Sequence, residues 1–318
     1  MQKKVVILGG VGLIGTHLAL KLLQRGYEVY CVDSRELSSS PLLRDTERTR
    51  FHFVRHNIVT PFTIRCDEIY NLCAPTRLSY DKQLPVEALQ TYLQGSFNTL
   101  ENARTKFSKV LYASSAVIYD NSSRPEFDPR ERRAAMIEGV RAAEMIHRAY
   151  AAEYGVDCRI ARLFNTYGSG CDLNDRRVVT RMIASALQNR EITIFGSGEQ
   201  VRSFAWAGDI ADGLIALMEA TPATPPRTLD LGGDTPITIR ALAEKIIDLT
   251  GSRSQINHLS ARYGEIRERR PDLSTAGREV GWRPKTPLIE GLKRTIKYVE
   301  NQLASYSGTA RTWVEIYG

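Results

Sequence analysis

The sequence predicts an α/β fold, a doubly wound parallel sheet followed by a smaller C-terminal α/β lobe. Segments typical of strands alternate with segments typical of helices through the first half of the chain, as in right-handed β–α–β crossovers. A glycine-rich turn joins the first strand to the first helix. After about residue 166 the alternation changes. We therefore expect one domain over residues 1–166, with return segments from the C-terminal half, and a second lobe over residues 167–318.

Each element of the first half is predicted from its apolar pattern. The run VVIL is continuously apolar, as expected for a buried strand, and the leucine-rich segment after it is typical of a helix. The predicted strands are 5–8, 28–33, 51–54, 68–73, 109–114 and 158–164. The predicted helices are 12–25, 86–105 and 134–153.

The second half is predicted to form the smaller lobe. Consecutive prolines remove backbone donors and break helices, so the stretch 221–226 is predicted as a loop. The other predicted elements are helices at 176–189, 237–250 and 287–303, a strand at 192–195 and a strand-to-helix unit at 203–219.

The composition is that of a globular protein, because 42% of the 318 residues are hydrophobic and 25% are charged. No apolar run approaches the roughly 18 residues of a membrane span. The sequence enters its first predicted strand directly, so we expect no signal peptide. We therefore expect a cytoplasmic protein with no membrane partner. The five cysteines are scattered and form no Cys-x-x-Cys pair, so we expect reduced thiols and no metal site.

The formal net charge of +7 raises the question of an anionic partner. A protein that binds nucleic acid concentrates its basic residues in one stripe. Here the basic residues are spread along the chain, with small clusters at 130–133 and 267–270. The pattern favours a small phosphorylated ligand over nucleic acid.

The glycine-rich turn predicts a dinucleotide site. Gly9, Gly12 and Gly15 form G-x-x-G-x-x-G between the first strand and the first helix. The first glycine allows a tight turn, the second lets the backbone approach a pyrophosphate, and the third lets helix and strand pack closely. Leu13 and Ile14 lie at the helix N-terminus, where backbone N–H groups and the helix dipole favour phosphate.

An acidic residue at the end of the second strand identifies the preferred dinucleotide. Asp33 follows Gly15 by 18 residues, where a carboxylate accepts hydrogen bonds from the adenosine ribose hydroxyls. The same carboxylate would repel the 2′-phosphate of NADP. The nearby Arg35 nevertheless leaves NADP as an alternative cofactor. The first domain is therefore predicted to be a Rossmann unit that binds NAD. The candidate cofactor-binding residues are Gly9, Gly12, Leu13, Ile14, Gly15, Asp33, Asn57, Ile58, Leu72 and Ala74.

Seven sequence segments, distributed over almost the whole chain, form a recognisable pattern. In order, they are GGVGLIGTHL, YASSAVIYD, ARLFNTYG, NDRRVV, FGSGEQVRSF, RRPDL and GWRPKTPLIEGL. Together they resemble the extended short-chain dehydrogenase/reductases that modify nucleotide sugars with NAD, and within that family the UDP-glucuronate decarboxylase branch. The resemblance implies a UDP-sugar ligand and a lyase-type activity.

The resemblance assigns four residues to the nucleotide sugar. It places Asn165 against the nucleotide, Arg177 and Arg202 at the nucleotide and its diphosphate, and Arg269 near the sugar carboxylate. A diphosphate favours guanidinium groups, which bind two oxygens at once.

The catalytic pair of the family is replaced in this sequence. The relatives carry Tyr-x-x-x-Lys on the long helix, where the tyrosine takes a proton from the sugar hydroxyl. A phenol has a pKa near 10, and the lysine one turn along lowers it. Here Met136 stands at the tyrosine position and Val140 at the lysine position, and no tyrosine in the chain has a lysine four residues later.

Three further positions depart from the family. Val117 replaces the glutamate proposed to assist decarboxylation, although Ser115 keeps a hydroxyl. Asn57 stands where an adenine-contacting Asp is usual, and Tyr92 stands where an Asn is usual. The resulting pocket is predicted to be strongly apolar.

The remaining candidates for catalysis are Ser115, Tyr119, Glu138 and Arg269. One hypothesis is an NAD-dependent nucleotide-sugar enzyme with an unusual proton path. The alternative is a catalytically silent homologue that binds NAD and a nucleotide sugar as a partner or regulatory subunit. A third hypothesis is an enzyme of another class that reuses the scaffold with tightly held NAD. Because relatives pair the helices at 86–105 and 134–153 across a dimer interface, we also predict a homodimer.

Overall fold

The computed structural model describes residues 2–44, 46, 49–75, 85–119, 132–173, 177–223, 225–261 and 266–306. The strands are β1 (Lys4–Leu8), β2 (Glu28–Asp33), β3 (Phe51–Arg55), β4 (Glu68–Asn71), β5 (Lys109–Ser115), β6 (Cys158–Leu163), β7 (Thr166–Tyr167), β8 (Ile192–Phe195), β9 (Val201–Ser203), β10 (Ala205–Trp206), β11 (Arg227–Leu231), β12 (Pro236–Thr238), β13 (Ile256–Leu259) and β14 (Glu268–Arg269). The helices are α1 (Leu13–Gln24), α2 (Pro41–Arg44), α3 (Pro85–Lys106), α4 (Arg132–Tyr154), α5 (Val178–Leu187), α6 (Ala207–Glu219), α7 (Ile239–Thr250), α8 (Ser274–Val280) and α9 (Leu288–Tyr306).

A seven-stranded parallel sheet forms the centre of the molecule, in the order β3-β2-β1-β4-β5-β6-β11. The strand order reverses between β1 and β4, which is where α/β sheets open a ligand crevice at the carboxyl ends of the strands. The structure confirms the predicted doubly wound sheet.

The strand β1 explains why the sheet is covered on both faces. Its residues Val5 and Ile7 belong to the apolar core that also contains side chains of α1 and α6. The alternate residues Val6 and Leu8 belong to the core that contains side chains of α3. Because successive side chains of a strand point to opposite faces, a run of four apolar residues requires helices on both sides.

The strands and helices predicted for the first half are present with small shifts at their ends. Three elements of the second half return to this domain, and the sequence did not identify which segments would do so. β11 pairs with β6, α6 packs against α1, and Ala276 of α8 lies in the same core. The segment of β11, RTLDL, alternates polar and apolar residues over only five positions, which is a weak strand signal.

The smaller lobe has its own apolar core, built mainly from α5, α7 and α9. Among the described residues, three short sheets accompany it: β12-β9-β14, β13-β8 and β10-β7. The sequence predicted β8 and all three helices, but it missed β12, β13 and β14. These strands have two to four residues each, too few to show periodicity.

Candidate active site

The glycine turn after β1 is shaped by two close approaches. Gly9 has a φ of +78°, which favours glycine, and its N–H donates to the carbonyl of Val32 at 2.8 Å. A Cβ atom on Gly15 would lie 2.5 Å from the carbonyl oxygen of Gly9. These contacts are the physical reason for glycine at the first and third positions of the pattern.

The N-terminus of α1 is open to an anion. Gly12 is the N-cap and has no side chain to cap the helix, and the first turn carries no acidic residue. The backbone N–H groups at Leu13 and Ile14 therefore lie in the electrostatic setting that favours a pyrophosphate. This helix end fits the phosphates of a dinucleotide.

Asp33 lies at the end of β2 and is 5% exposed. Its carboxylate accepts the backbone N–H of Val11 at 3.2 Å and that of Arg35 at 3.0 Å. The guanidinium of Arg35 forms an ion pair with it at 3.4 Å. Because Val11 of the glycine turn and Arg35, two residues after the strand, both hold it, the carboxylate is oriented before any cofactor binds. A buried acceptor at this position fits the ribose hydroxyls of NAD.

The other border of the crevice is held by α3 and β4. The side chain of Asn98 donates to the carbonyls of Ile58 at 2.7 Å and Val59 at 3.0 Å. Asn57 is exposed, and its side-chain oxygen accepts the N–H of Val59 at 3.2 Å. The backbone of Leu72, just beyond β4, lies 3.1 Å from where a Cβ of Gly9 would be. Ala74 follows it and is exposed.

Met136 and Val140, one turn apart on α4, lie in an apolar cluster. Val140 is 1% exposed and shares this cluster with Val117 and Tyr92, while Met136 packs against it. A Cβ atom on Gly139 would lie 2.6 Å from Cδ2 of Tyr92, so the tyrosine ring covers the helix at that glycine. The positions on α3, α4 and the turn after β5 that the sequence predicted to be replaced therefore form one packed unit.

Ser115 and Glu138 are engaged elsewhere. The hydroxyl of Ser115 accepts the N–H of Val117 at 3.3 Å. Glu138 is exposed and forms an ion pair with Arg141 at 3.0 Å. Arg141 also donates to the carbonyl of Ile118 at 3.0 Å. Neither Ser115 nor Glu138 lines the cleft that contains Tyr119 and Arg269.

Tyr119 and Arg269 line the same cleft, of about 330 Å³, at the carboxyl ends of β6 and β11. Its walls are Tyr119, Phe164, Asp230, Ile266, Glu268, Arg269, Arg270 and Asp272. The structure thus brings together two residues that are 150 positions apart in the sequence. Because β14 pairs with β9, Arg269 also stands directly beside Arg202 in register.

The other two predicted ligand residues lie at element boundaries. Asn165 separates β6 from β7, and its carbonyl accepts the N–H of Ala205 at 2.9 Å. Arg177 is the N-cap of α5 and is exposed.

A polar network around Tyr119 was not predicted. The phenol donates to Asp230 at 2.7 Å and accepts a hydrogen bond from Arg162 at 2.9 Å. Arg162 binds both carboxylate oxygens of the buried Glu144, at 2.9 and 2.8 Å. Ser114 donates to the same carboxylate at 2.6 Å. A polar residue near the carboxyl end of the predicted strand 158–164 was the available signal for Arg162. Asp230 gave no such signal, because its strand β11 was not predicted.

Burial changes the proton affinity of this network. It raises the pKa of the Asp230 carboxyl, although the hydrogen bond from Tyr119 acts in the opposite direction. Burial and the hydrogen bond to Asp230 together raise the pKa of the Tyr119 phenol. The carboxyl is therefore a better base than an exposed aspartate, and the phenol stays protonated at neutral pH.

Neither a membrane-spanning helix nor a metal cluster is present in the described part of the chain. None of its helices combines the length and apolar character needed to cross a bilayer. Among the same residues, no group of three or more histidine, cysteine, aspartate or glutamate side chains is placed to hold a metal ion.

A model of the NAD dependent epimerase/dehydratase family matches residues 5–232, more than half of the chain. The protein therefore belongs to the NAD-dependent epimerase/dehydratase family, and its cofactor is NAD, as the glycine turn and Asp33 predicted. The resemblance found in the sequence is confirmed.

Within the family, the chain is similar to UDP-glucuronic acid decarboxylases. It is 35% identical to UDP-glucuronic acid decarboxylase 1 of Danio rerio over 317 residues, which cover 95% of this chain and 74% of the relative. It is 32% identical to UDP-glucuronic acid decarboxylase 1 of Arabidopsis thaliana over 309 residues, covering 94% and 70% of the two chains.

Solved structures confirm the fold. The UDP-glucose 4-epimerase of Thermotoga maritima, solved with UDP-glucose, has a TM-score of 0.82 at 24% identity and covers 94% of this chain and 99% of its own. The UDP-glucuronic acid 4-epimerase of Bacillus cereus, solved with UDP-glucuronic acid and NAD, has a TM-score of 0.80 at 22% identity, with coverage of 94% and 99%.

Proposed function

We propose that this protein binds NAD together with a UDP-sugar of the UDP-glucuronate class, and oxidises the sugar through a non-standard proton transfer. The observation that carries the proposal is the cleft that is lined by both Tyr119 and Arg269. A phenol can exchange a proton with a sugar hydroxyl, and a guanidinium can bind a sugar carboxylate. The similarity to UDP-glucuronic acid decarboxylases supports the choice of sugar.

Each group of residues has a distinct role in this proposal. The glycine turn and Asp33 hold NAD, which is the oxidant. Arg177 and Arg202 bind the diphosphate, and Asn165 contacts the nucleotide. The apolar cluster of Met136, Val140 and Val117 excludes water, but its side chains exchange no proton. Loss of a general acid/base costs roughly 10²–10⁴-fold in rate, so we expect slow turnover.

The test is calorimetric titration of the purified protein with UDP and UDP-glucuronate in the presence of NAD, with products followed by NMR. Arg202→Gln and Arg269→Gln each remove a charge-assisted hydrogen-bonding group, worth about 1.5–3 kcal/mol. We therefore expect each to weaken UDP-glucuronate binding roughly tenfold to hundredfold. Arg278→Gln, at an exposed arginine of α8, is the matched control. Absence of UDP and UDP-glucuronate binding by the wild type would contradict the proposal.

The second candidate function is a catalytically silent protein that binds NAD and a nucleotide sugar and acts as a partner or regulatory subunit. The observation that favours it is the burial of Val140, which is 1% exposed among apolar side chains where the family has a lysine. Binding of UDP-glucuronate without any change in cofactor absorbance or in the sugar NMR spectrum would favour this function over the first.

A further inference from the structure

The hydroxyl of Tyr119 lies between a proton acceptor and a proton donor. It donates to Oδ1 of Asp230 at 2.7 Å, across 111 residues of sequence, and accepts from Nη1 of Arg162 at 2.9 Å. The side chain is 45% exposed and forms one wall of the cleft that holds Arg269. The phenol is therefore accessible to a ligand while both of its polar contacts are made by the protein.

The orientation of this phenol is fixed from the inside of the molecule. Nε and Nη2 of Arg162 bind the two oxygens of Glu144, which directs Nη1 towards Tyr119. The guanidinium also lies 5.2 Å from the centroid of the Tyr119 ring. Ser114, Arg162 and Asp230 occupy matching register positions on β5, β6 and β11, so their side chains share one face of the sheet.

The chemistry of the three groups is complementary. The Asp230 carboxylate can take the proton of the Tyr119 phenol. The Arg162 guanidinium, which can only donate hydrogen bonds, stabilises the negative charge that develops on the phenol oxygen. The other oxygen of Asp230 accepts the N–H of Asp272 at 3.4 Å. The charged groups that face this pair are Arg162 from β6, the side chain of Asp272, and Glu268, Arg269 and Arg270 from the wall that includes β14.

We propose that Tyr119 and Asp230 form a proton relay that takes over the general-base role of the absent tyrosine–lysine pair. This proposal rests on the proposed function. The sugar C4 hydroxyl gives its proton to Oη of Tyr119 as Tyr119 passes its own proton to Oδ1 of Asp230. The C4 hydrogen leaves with its bonding electron pair to NAD, the oxidant, and C4 becomes a ketone. Arg162 and Glu144 are positioning residues.

The other polar candidates of the sequence do not perform this role. The Ser115 hydroxyl has no basic partner in the described contacts and accepts the N–H of Val117. Glu138 is exposed and paired with Arg141. The guanidinium of Arg269 carries only hydrogen-bond donors and accepts no proton.

The first experiment compares Tyr119→Phe and Asp230→Asn with the wild type, using NAD and UDP-glucuronate. Each variant is expected to lower the rate of C4 oxidation by roughly 10²–10⁴-fold, the range for a lost general base. The double variant is expected to be no slower than the slower single variant, because the two residues act as a unit. Binding of UDP-glucuronate, measured by calorimetry, is expected to change less than tenfold.

The matched control is Tyr30→Phe. Tyr30 also donates to a carboxylate, that of Glu28 at 2.8 Å, but on β2 and outside the cleft. This variant loses the same kind of hydrogen bond, and we expect it to keep wild-type turnover. Equal losses in Tyr30→Phe and Tyr119→Phe would overturn the relay.

A second readout requires no turnover. Carboxyl ¹³C NMR of protein labelled at aspartate follows the titration of Asp230, whose resonance is identified by its absence in Asp230→Asn. Because the phenol stabilises the carboxylate, Tyr119→Phe is expected to raise the pKa of Asp230. An unchanged midpoint would mean that the two groups are not coupled and would overturn the relay.

The outcomes separate the relay from the function on which it rests. Turnover that persists in Tyr119→Phe and Asp230→Asn overturns the relay and leaves the proposed function standing. Binding of UDP-glucuronate with no turnover in the wild type overturns the relay and favours the silent protein. Failure to bind UDP-glucuronate overturns both.

Discussion

The carboxylate of Asp33 has two neighbours with different consequences for the cofactor. The N–H of Val11 orients it towards the glycine turn, and the Arg35 guanidinium pairs with it. Removing the carboxylate therefore removes an acceptor for the ribose hydroxyls and also releases an arginine beside the site. We therefore expect this single buried side chain to control both the affinity for the dinucleotide and the choice between NAD and NADP.

We predict that Asp33→Ala weakens NAD binding roughly tenfold to hundredfold, the effect of losing hydrogen bonds to a charged group. The same variant is expected to show a smaller difference in affinity between NAD and NADP than the wild type, because Arg35 can then face the 2′-phosphate of NADP. Calorimetric titration with both dinucleotides measures the two effects. Tighter binding of NADP than of NAD by the wild type would refute the assignment of Asp33.

His147 gives a pH dependence of stability. Burial lowers the pKa of this fully buried histidine to about 4. Its Nδ1–H donates to the carbonyl of Ala143 at 2.8 Å, and its ring stacks on Tyr112 with 4.6 Å between centroids. Nε2 has no hydrogen-bond partner among the described residues. The folded state therefore holds the neutral imidazole.

The direction of the pH effect follows from the difference between the pKa values of His147 in the folded and the unfolded chain. The unfolded histidine titrates near pH 6.5, so between pH 6.5 and about 4 the unfolded chain binds the extra proton. This contribution to the free energy of unfolding is intact above pH 7 and falls by about 2 kcal/mol between pH 7 and pH 5. Urea unfolding at both pH values measures it. His147→Phe keeps an aromatic ring and is expected to lose less stability over that interval; equal losses would contradict the prediction.

At the scale of elements, α3 and α4 pack through the positions where the resemblance predicts a departure from the family pattern. Tyr92 of α3 covers Gly139 of α4, and Val140 lies buried in the same cluster. A lysine at position 140 would place an ammonium group among apolar side chains, at a cost of several kcal/mol. Restoring the catalytic pair therefore requires a change on the neighbouring helix as well.

We predict that Met136→Tyr with Val140→Lys lowers the thermal unfolding temperature, and that adding Tyr92→Asn recovers part of the loss by providing space and an amide oxygen. The triple variant is expected to oxidise UDP-glucuronate at C4 faster than the wild type, by up to roughly 10²–10⁴-fold. Completion of decarboxylation is not expected, because Val117 still replaces the glutamate. Reduced-cofactor absorbance and a 4-keto product by NMR are the readouts. Robust wild-type turnover that these substitutions lower would contradict the prediction.

At the scale of the whole molecule, aromatic side chains extend over the outer surface of α3 and α4. Phe97 is 42% exposed and Tyr154 is 50% exposed. Both contact Tyr150, at centroid distances of 6.2 and 5.1 Å. Water-exposed aromatic area that spans two packed helices is typical of an interface between subunits.

We predict a homodimer that buries this surface, and light scattering at micromolar concentration checks it. Phe97→Glu places a charge in the contact and is expected to shift the protein towards a monomer. Leu259→Glu, at a residue of similar exposure (46%) in the smaller lobe, is the control and is expected to stay dimeric. A monomeric wild type would contradict the prediction.

Local sequence patterns determined several features by themselves. The glycine spacing defined the turn after β1. Gly9 has a positive φ there, and its carbonyl oxygen lies too close to Gly15 for a side chain at that position. Apolar runs and helical spacing located the main strands and helices of the first half. The predicted replacement of the catalytic pair also comes from the sequence alone, since it concerns which residues are present and not where they lie.

Only the tertiary structure decided which distant residues meet. β11 joins the sheet beside β6, which brings Asp230 to Tyr119, and β14 pairs with β9, which places Arg269 beside Arg202. The physical reason is that the choice of a parallel neighbour and its register depends on helices packing on both faces of the sheet, whereas local propensity specifies only that a segment is extended. Short strands such as β11 and β14 take their identity from these long-range pairings.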